Sequence, residues 1–304
     1  MVHNFQELLD RAIKYGPKRV AVAVSQDEAA LSALIEAKKL GLAEGHLFGN
    51  SEQTLRLLAE LGAETKDFPE LHDIPDDGHA AQAAVSAVRK GEADIIIKGM
   101  LKTATFLKCV LDAENGLRTG KLLSDAFIFE DGRRSGNQLV MITDGGVNLK
   151  PDLNQKVDIL RNGVRVAHAL GNENPKVAVL SAVESVTPAL QSTTDAAILA
   201  KMNERRQITG CTVEGPLALD NAVSEQAAKL KKLNCPVAGF ADILLCPDIE
   251  SANMLAKGTT YFAGFRLAHV IVGAAAPVLI PSRADTADAK LLSIALGVMM
   301  CRYV

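Results

Sequence analysis

The chain has 304 residues, 48% hydrophobic and 23% charged, with a formal net charge of -3, an ordinary globular composition that can fill two domains or one large α/β domain. That charge balance, with 4% aromatics and no tryptophan, offers neither the basic patch nor the stacking platforms that nucleic acid requires. The five cysteines (Cys109, Cys211, Cys235, Cys246, Cys301) are odd in number and form no CxxC, and the histidines form no HxH or HExxH, so reduced thiols and no zinc are expected.

Phe5, Leu8, Leu9, Ala12 and Ile13 fall at helical spacing, closed by Gly16-Pro17. Glu7 and Asp10 in that amphipathic pattern argue against a signal peptide. RVAVAV at 19–24 predicts a buried strand, 27–40 an Ala- and Leu-rich helix closed by Gly41, 46–48 a short strand, and 52–61 a helix. A polar loop through Asp73, Asp77 and Gly78 leads into a helix over 79–89 and a core strand, DIII, at 94–97. Alternating strands and helices, with β-branched runs that do not alternate, predict a mostly parallel sheet with helices on both faces.

From Lys98 the sequence turns polar: Lys98-Gly99, Thr103, then a short helix to Leu111 and GLRTGKLLS at 116–124. The glycine–lysine spacing is not that of a P-loop. Two cations and hydroxyls in a Gly-bounded segment suit a phosphate-bearing ligand or a solvated surface loop equally well. Residues 126–129 and 139–143 predict an antiparallel hairpin around 131–137, near which a domain change is placed. Then follow a helix over 153–170, a strand at 177–180, a helix near 196–205, strands near 211–213 and 243–245, and a helix over 225–233.

The stretch 269–286 reads as one buried strand, a polar break at Ser282-Arg283 and a helix start. The longest apolar run, 270–280, is too short for a membrane span of about 20 residues, so a cytoplasmic protein is expected. Open α/β sheets bind ligands beyond the carboxyl ends of their strands, where helix N-termini favour anions, and Ser282-Arg283 fits such an anion site. Spacing alone equally fits a plain turn with a surface charge, with Asp285 and Asp288 as helix-start residues. EGPLALDNA at 214–222 and PDIESAN at 247–253 also lie where strands give way to helices.

Together these segments resemble the phosphate acetyl/butyryltransferase family, nearest its phosphate butyryltransferase branch. The resemblance rests on Lys98-Gly99 with Thr103, GLRTGKLLS, EGPLALDNAVS, the Asp248 and Asn253 cluster, and SRAD at 282–285. It implies interconversion of a short-chain acyl-CoA plus phosphate with acyl phosphate plus CoA, without metal or redox cofactor. It also implies a homodimer or higher homo-oligomer and a two-domain fold like that of the isocitrate and isopropylmalate dehydrogenases, the active site lying in an interdomain cleft. The first domain would comprise 1–127 and 281–304, the second 128–280. Acetyl-specific relatives carry an Asp proposed as general base further after the Ser-Arg pair, where this chain has Ala289 and only Asp285 and Asp288 stand nearby; they also carry a Gln-Arg pair where this chain has Thr259-Thr260-Tyr261-Phe262, and this second departure favours the butyryl branch.

In that chemistry Arg118, Thr119, Lys121 and Arg283 would bind phosphate, and Ser282 would orient the thiol or the oxyanion. Lys98, Gly99, Thr103, Ser124, Glu214, Gly215, Pro216, Asn221, Asp248 and Asn253 would line the CoA and substrate cleft. Asp285 reads as a helix cap holding the Ser-Arg turn. Asp220 is expected to shape the site, on the premise that its helix begins only near Ser224. A phosphate acetyltransferase and a non-catalytic acyl-CoA or acyl-phosphate sensor are the alternatives.

Overall fold

The computed structural model describes residues 1–132 and 138–303; Arg133 to Asn137, in the loop expected at 131–137, lie outside the described residues. Chain contacts define two compact units, one of 5–121 with 268–304 and the other of 1–4 with 122–267.

The first unit opens α1 (Phe5–Ile13), β1 (Lys18–Ala23), α2 (Glu28–Lys39), β2 (Ala43–Gly49), α3 (Ser51–Glu60), β3 (Glu70–Asp73), α4 (Asp77–Arg89), β4 (Ile95–Lys98) and α5 (Thr103–Val110). Helix starts follow the polar residues that precede them: Asp27, Asn50 and Asp76 each accept a backbone N–H of the first turn, which satisfies donors a helix leaves unpaired. The Val, Ala and Ile runs of β1 and β4 are buried through their inner residues, as a strand covered on both faces must be.

The second unit holds β5 (Ser124–Asp131), β6 (Gln138–Thr143), α6 (Leu153–Ala169), β7 (Lys176–Leu180), α7 (Gln191–Glu204), β8 (Thr212–Leu217), α8 (Leu219–Val223), α9 (Glu225–Leu230), β9 (Ile243–Leu245) and α10 (Ile249–Tyr261). Its strand order is β5-β6-β9-β7-β8. The β5–β6 pair is antiparallel with Phe127 opposite Ile142, and the other pairs are parallel. Its core gathers Phe129, Ile142, Leu217, Leu244 and Ala252, with Phe265 stacked on Phe129 at 5.7 Å.

The chain then re-enters the first unit as β10 (Leu267–Val272), β11 (Val278–Leu279) and α11 (Ala287–Met300). The strand order there is β3-β2-β1-β4-β11-β10, parallel except for β10 against β11. The apolar run read as one strand is therefore a hairpin: Gly273, at φ +103, supplies the left-handed residue that turns it. Folding back brings β11 beside β4, with Val278 opposite Ile96. The boundaries expected at 127/128 and 280/281 accordingly fall at 121/122 and 267/268. Every residue of α11 from Ala289 to Met300 is buried, the signature of a helix with core on all sides. No helix among the described residues is long and apolar enough to cross a membrane.

Candidate active site

Ser282 follows β11 after Ile280-Pro281, and proline bars further strand pairing there. The turn is closed by Asp285, whose Oδ2 accepts the Ser282 N–H at 2.7 Å, while Asp285 N–H donates to the Ser282 carbonyl at 3.1 Å. The cap of α11 is Thr286, which accepts Ala289 N–H at 3.2 Å, so the capping role read into Asp285 passes to its neighbour. Asp285 is instead half-buried, with His269 Nε2 of β10 at 3.6 Å from its Oδ2. Arg283 is exposed in the turn, and Asp288 is exposed in the first turn of α11.

Three charged groups lie buried in the same unit. Lys290, a lone cation in the apolar helix α11, is 1% exposed and pairs with Asp27 Oδ1 at 2.7 Å, as a buried ammonium must. The same Asp27 oxygen caps α2 through Ala30 N–H. Lys98, at the end of β4, is 3% exposed, and among the described residues its ammonium donates only to the Gly99 and Leu101 carbonyls at 3.1 and 3.2 Å. Burial pulls it below the usual lysine range; Asp27 and Asp285 oppose that shift, Lys290 and Arg283 reinforce it.

The backbone around Lys98 is tightly specified. Val24, just beyond β1, has φ +62, a conformation that is costly for a β-branched residue and is retained where function requires it. Its carbonyl accepts Met100 N–H, and Gly99 N–H donates to Ala23. A Cβ on Gly99 would fall 2.0 Å from the Val24 carbonyl oxygen, so only glycine fits there. Thr103 is the exposed first residue of α5.

The segment 116–121 is tied to the β10–β11 connection. Ala275 N–H donates to the Leu117 carbonyl at 2.9 Å and Thr119 Oγ1 to the Gly273 carbonyl at 2.5 Å. Gly120 has φ +80, and Arg118 and Lys121 are exposed. This unit therefore collects Lys98, Arg283 and Asp285 in mutual electrostatic range and fixes Thr119 to the hairpin that carries Ser282.

The second unit uses several of its candidates structurally. The buried Ser124 hydroxyl accepts from Asn162 Nδ2 of α6 at 2.9 Å. Asp248 caps α10 through Ser251, whose N–H, against the effect of burial, holds its carboxyl below the usual range. Gly215 lets β8 approach β7: a Cβ would lie 2.8 Å from the Val179 carbonyl oxygen, and buried Pro216 follows. Glu214 on β8 is half-buried and its pKa is raised, first by burial and then by Glu204. Asp220 sits in the first turn of α8, which starts at Leu219 rather than near Ser224. It is exposed and lies 3.3 Å from Lys231. Asn221 is fully buried and donates to Glu184 at 3.3 Å.

Asn253 donates to the Gly145 carbonyl at 3.0 Å, in a loop that sequence reading passed over. Asp144 gathers the N–H groups of Asp125, Gly146, Val147 and Asn148 at 2.9 to 3.1 Å, and burial, then Asp125, pushes its carboxyl up. An Asp directly after a strand, followed by two adjacent glycines, is the signal that would have found it. In the first unit Asp27, His269 and Lys290 were also missed; a lysine inside the run AKLLSIALGVMM was the available clue.

Burial pushes the thiols of Cys211 and Cys301 up to about 11 and that of Cys246 to about 12, which leaves little thiolate at neutral pH. Among the described residues no group of three or more His, Cys, Asp or Glu could hold a metal ion.

The family model for Phosphate acetyl/butaryl transferase matches residues 56–298. The chain is 44% identical over 300 residues to a phosphate butyryltransferase of Clostridium acetobutylicum, covering 99% of each. It is also 44% identical over 295 residues to a phosphate acetyltransferase of Thermotoga maritima, covering 96% of this chain and 98% of that one. A branched-chain phosphotransacylase from Enterococcus faecalis superposes with a TM-score of 0.84 at 29% identity, over 94% of this chain and all of that one. A 4-hydroxythreonine-4-phosphate dehydrogenase from Klebsiella pneumoniae, at TM-score 0.57 and 11% identity over 94% of this chain and all of that one, shares the fold alone. With a family model spanning most of its length and relatives of this identity end to end, the chain belongs to the phosphate acetyl/butyryltransferase family.

Proposed function

We propose that this protein is a phosphate acyltransferase that interconverts a short-chain acyl-CoA plus phosphate with acyl phosphate plus CoA, and that it favours C4 or branched acyl groups over acetyl. The observation that carries the reading is the Ser282–Asp285 turn, which presents Arg283 just beyond β11, within electrostatic range of the buried cation of Lys98, in a chain of this family. Identity alone does not choose the acyl group, since the butyryl and acetyl relatives match equally well. The segments GLRTGKLLS, EGPLALDNA and Thr259-Thr260-Tyr261-Phe262 support the C4 reading.

The chemistry asks for cations and little else. A free thiol with a pKa of about 8.5 is a few per cent thiolate at pH 7. As the CoA sulfur attacks the carbonyl carbon of the acyl phosphate, a C–S bond forms and the C–O bond to phosphate breaks. The electron pair leaves on the phosphate oxygen, and the thiol proton ends on the departing phosphate, so the exchange balances without a net base. Negative charge grows on the carbonyl oxygen and on the leaving phosphate. Arg283 and Arg118 can grip phosphate with two parallel N–H donors, and Lys121 adds a point charge. Ser282 would donate to the oxyanion. These side chains supply the positive charge that a metal would otherwise bring, and we propose turnover without a metal or organic cofactor, CoA being substrate or product.

The test is kcat/KM for acetyl-, propionyl-, butyryl-, isobutyryl- and isovaleryl-CoA at fixed phosphate. One methylene in an apolar pocket is worth about 1 to 3 kcal/mol, so acetyl should remain a poor substrate. A higher kcat/KM for acetyl-CoA than for every C4 and C5 substrate would overturn the preference.

A further inference from the structure

Two lysines are buried in the first unit, and they are handled in opposite ways. Lys290 is paired: Asp27 Oδ1 stands 2.7 Å from its ammonium, and that oxygen also accepts Ala30 N–H. Lys98, 3% exposed, has no carboxylate within ion-pairing distance among the described residues, where its ammonium donates to the Gly99 and Leu101 carbonyls. A buried ammonium hydrogen-bonded to carbonyl dipoles, with Asp27 and Asp285 acting on it only at longer range, is poorly compensated, and proteins retain such charge where a ligand of opposite sign completes it. Asp27 is already spent on Lys290 and on the α2 cap, and the Asp285 carboxylate is engaged by the Ser282 N–H.

The position is also built. The left-handed Val24 and the glycine-only Gly99 hold the end of β4 against the end of β1, so the Lys98 stem has little freedom. Among the described residues the third N–H of its ammonium has no protein acceptor, and the charge that reinforces its desolvation includes Arg283 of the Ser282 turn.

We infer that Lys98 is the residue that receives the reacting phosphoryl group, as inorganic phosphate in one direction and as the phosphate of the acyl phosphate in the other, with Asp27 acting as a positioning residue that keeps Lys290 neutralised and out of competition for it. The inference rests on the proposed acyltransferase reaction and adds to it a named phosphate ligand in the same unit as the Arg283 turn. CoA carries phosphates of its own, but they lie at the far end of a long flexible arm from its thiol. A buried ammonium within electrostatic range of the reacting turn suits a small tetrahedral anion rather than that nucleotide end.

Lys98→Met keeps the stem and removes the charge; Lys98→Gln also keeps N–H donors for the two carbonyls and serves if the Met variant does not fold. Two readouts apply to the full-length protein. Steady-state kinetics vary phosphate at saturating butyryl-CoA, then butyryl-CoA at saturating phosphate. Calorimetric titration with inorganic phosphate alone needs no turnover. The expected result is a KM for phosphate raised at least tenfold with KM for butyryl-CoA within about threefold, and a parallel loss of phosphate binding in a variant whose melting temperature is not lowered. A folded variant that binds phosphate as the unmodified protein does, or one whose loss falls on KM for butyryl-CoA, overturns the assignment. If the unmodified protein binds phosphate but releases no CoA from any short acyl-CoA, the acyltransferase reading has failed, whereas unmodified turnover with unchanged phosphate binding in both variants defeats the Lys98 assignment alone.

Discussion

Asp285 holds Ser282 from both sides, accepting its N–H at 2.7 Å on Oδ2 and donating its own N–H to the Ser282 carbonyl at 3.1 Å. A hydrogen bond to an ionised acceptor contributes about 1.5 to 3 kcal/mol, and displacing a reacting group by about 1 Å can cost 10²-fold in rate. Asp285→Ala should therefore lose stability of that order in urea unfolding and about 10²-fold in kcat. Asp285→Asn, which can still accept the N–H but loses the charge beside His269, should fall between. Unchanged turnover in the Ala variant would show that the turn does not depend on the carboxylate.

Arg283 is exposed and lies outside the core. Arg283→Ala is expected to lower kcat by about 10²- to 10³-fold, the usual cost of removing a donor aimed at developing charge, with melting unchanged. Arg283→Lys should restore part of that loss, because a point charge cannot reproduce the two-pronged grip. A variant with near-normal turnover would return Arg283 to the surface.

Asp220 lies in the first turn of α8, exposed and next to Lys231, which also contacts Glu184. A solvated carboxylate in such a pair contributes little. Asp220→Asn should leave kcat within about twofold and the melting temperature almost unmoved. A loss beyond tenfold with the fold intact would restore the active-site role expected from sequence.

Periodicity made α1, α2, α4, β1 and β9 legible almost to the residue, because their apolar spacing and their Asp or Gly ends agree. It failed where tertiary contact replaces local signal. The run 269–280 is apolar throughout, so nothing in its pattern marks the reversal at Gly273 that divides β10 from β11. The helix placed near 196–205 starts at Gln191, behind a Gln-Ser-Thr-Thr segment with no apolar repeat. The exposed β3, Glu70–Asp73, has almost no apolar residues to announce it. The Ser282 turn was visible as a polar break between strand and helix. Its surroundings were not: Asp27 and Lys290 stand 263 positions apart and meet only in the fold. Asp27 was hidden as the first residue of the helix predicted over 27–40, and only the structure shows it capping α2.

The pH response of phosphate binding follows from Lys98. Burial holds its ammonium below the usual lysine range, against Asp27 and Asp285 and with Lys290 and Arg283. The folded chain thus releases this proton at a lower pH than the unfolded chain does. Between those two values the unfolded state binds more protons, so this group's contribution to stability rises with pH. Phosphate binding has the opposite sign, because the ammonium it uses is discharged. KM for phosphate should climb on the alkaline side starting below the ordinary lysine range, while Lys98→Met should give a high KM with a flatter profile there. Identical pH profiles for the two proteins would exclude Lys98 as the group that titrates.

The most direct measurement is stoichiometric: incubate the purified protein with butyryl-CoA, with and without inorganic phosphate, after chelator treatment, and quantify released thiol and acyl phosphate together. The expected result is thiol release that requires phosphate, survives chelation and matches the acyl phosphate formed one for one. Release that proceeds equally without phosphate, no release from any short acyl-CoA, or activity recovered only on adding a divalent metal would contradict it.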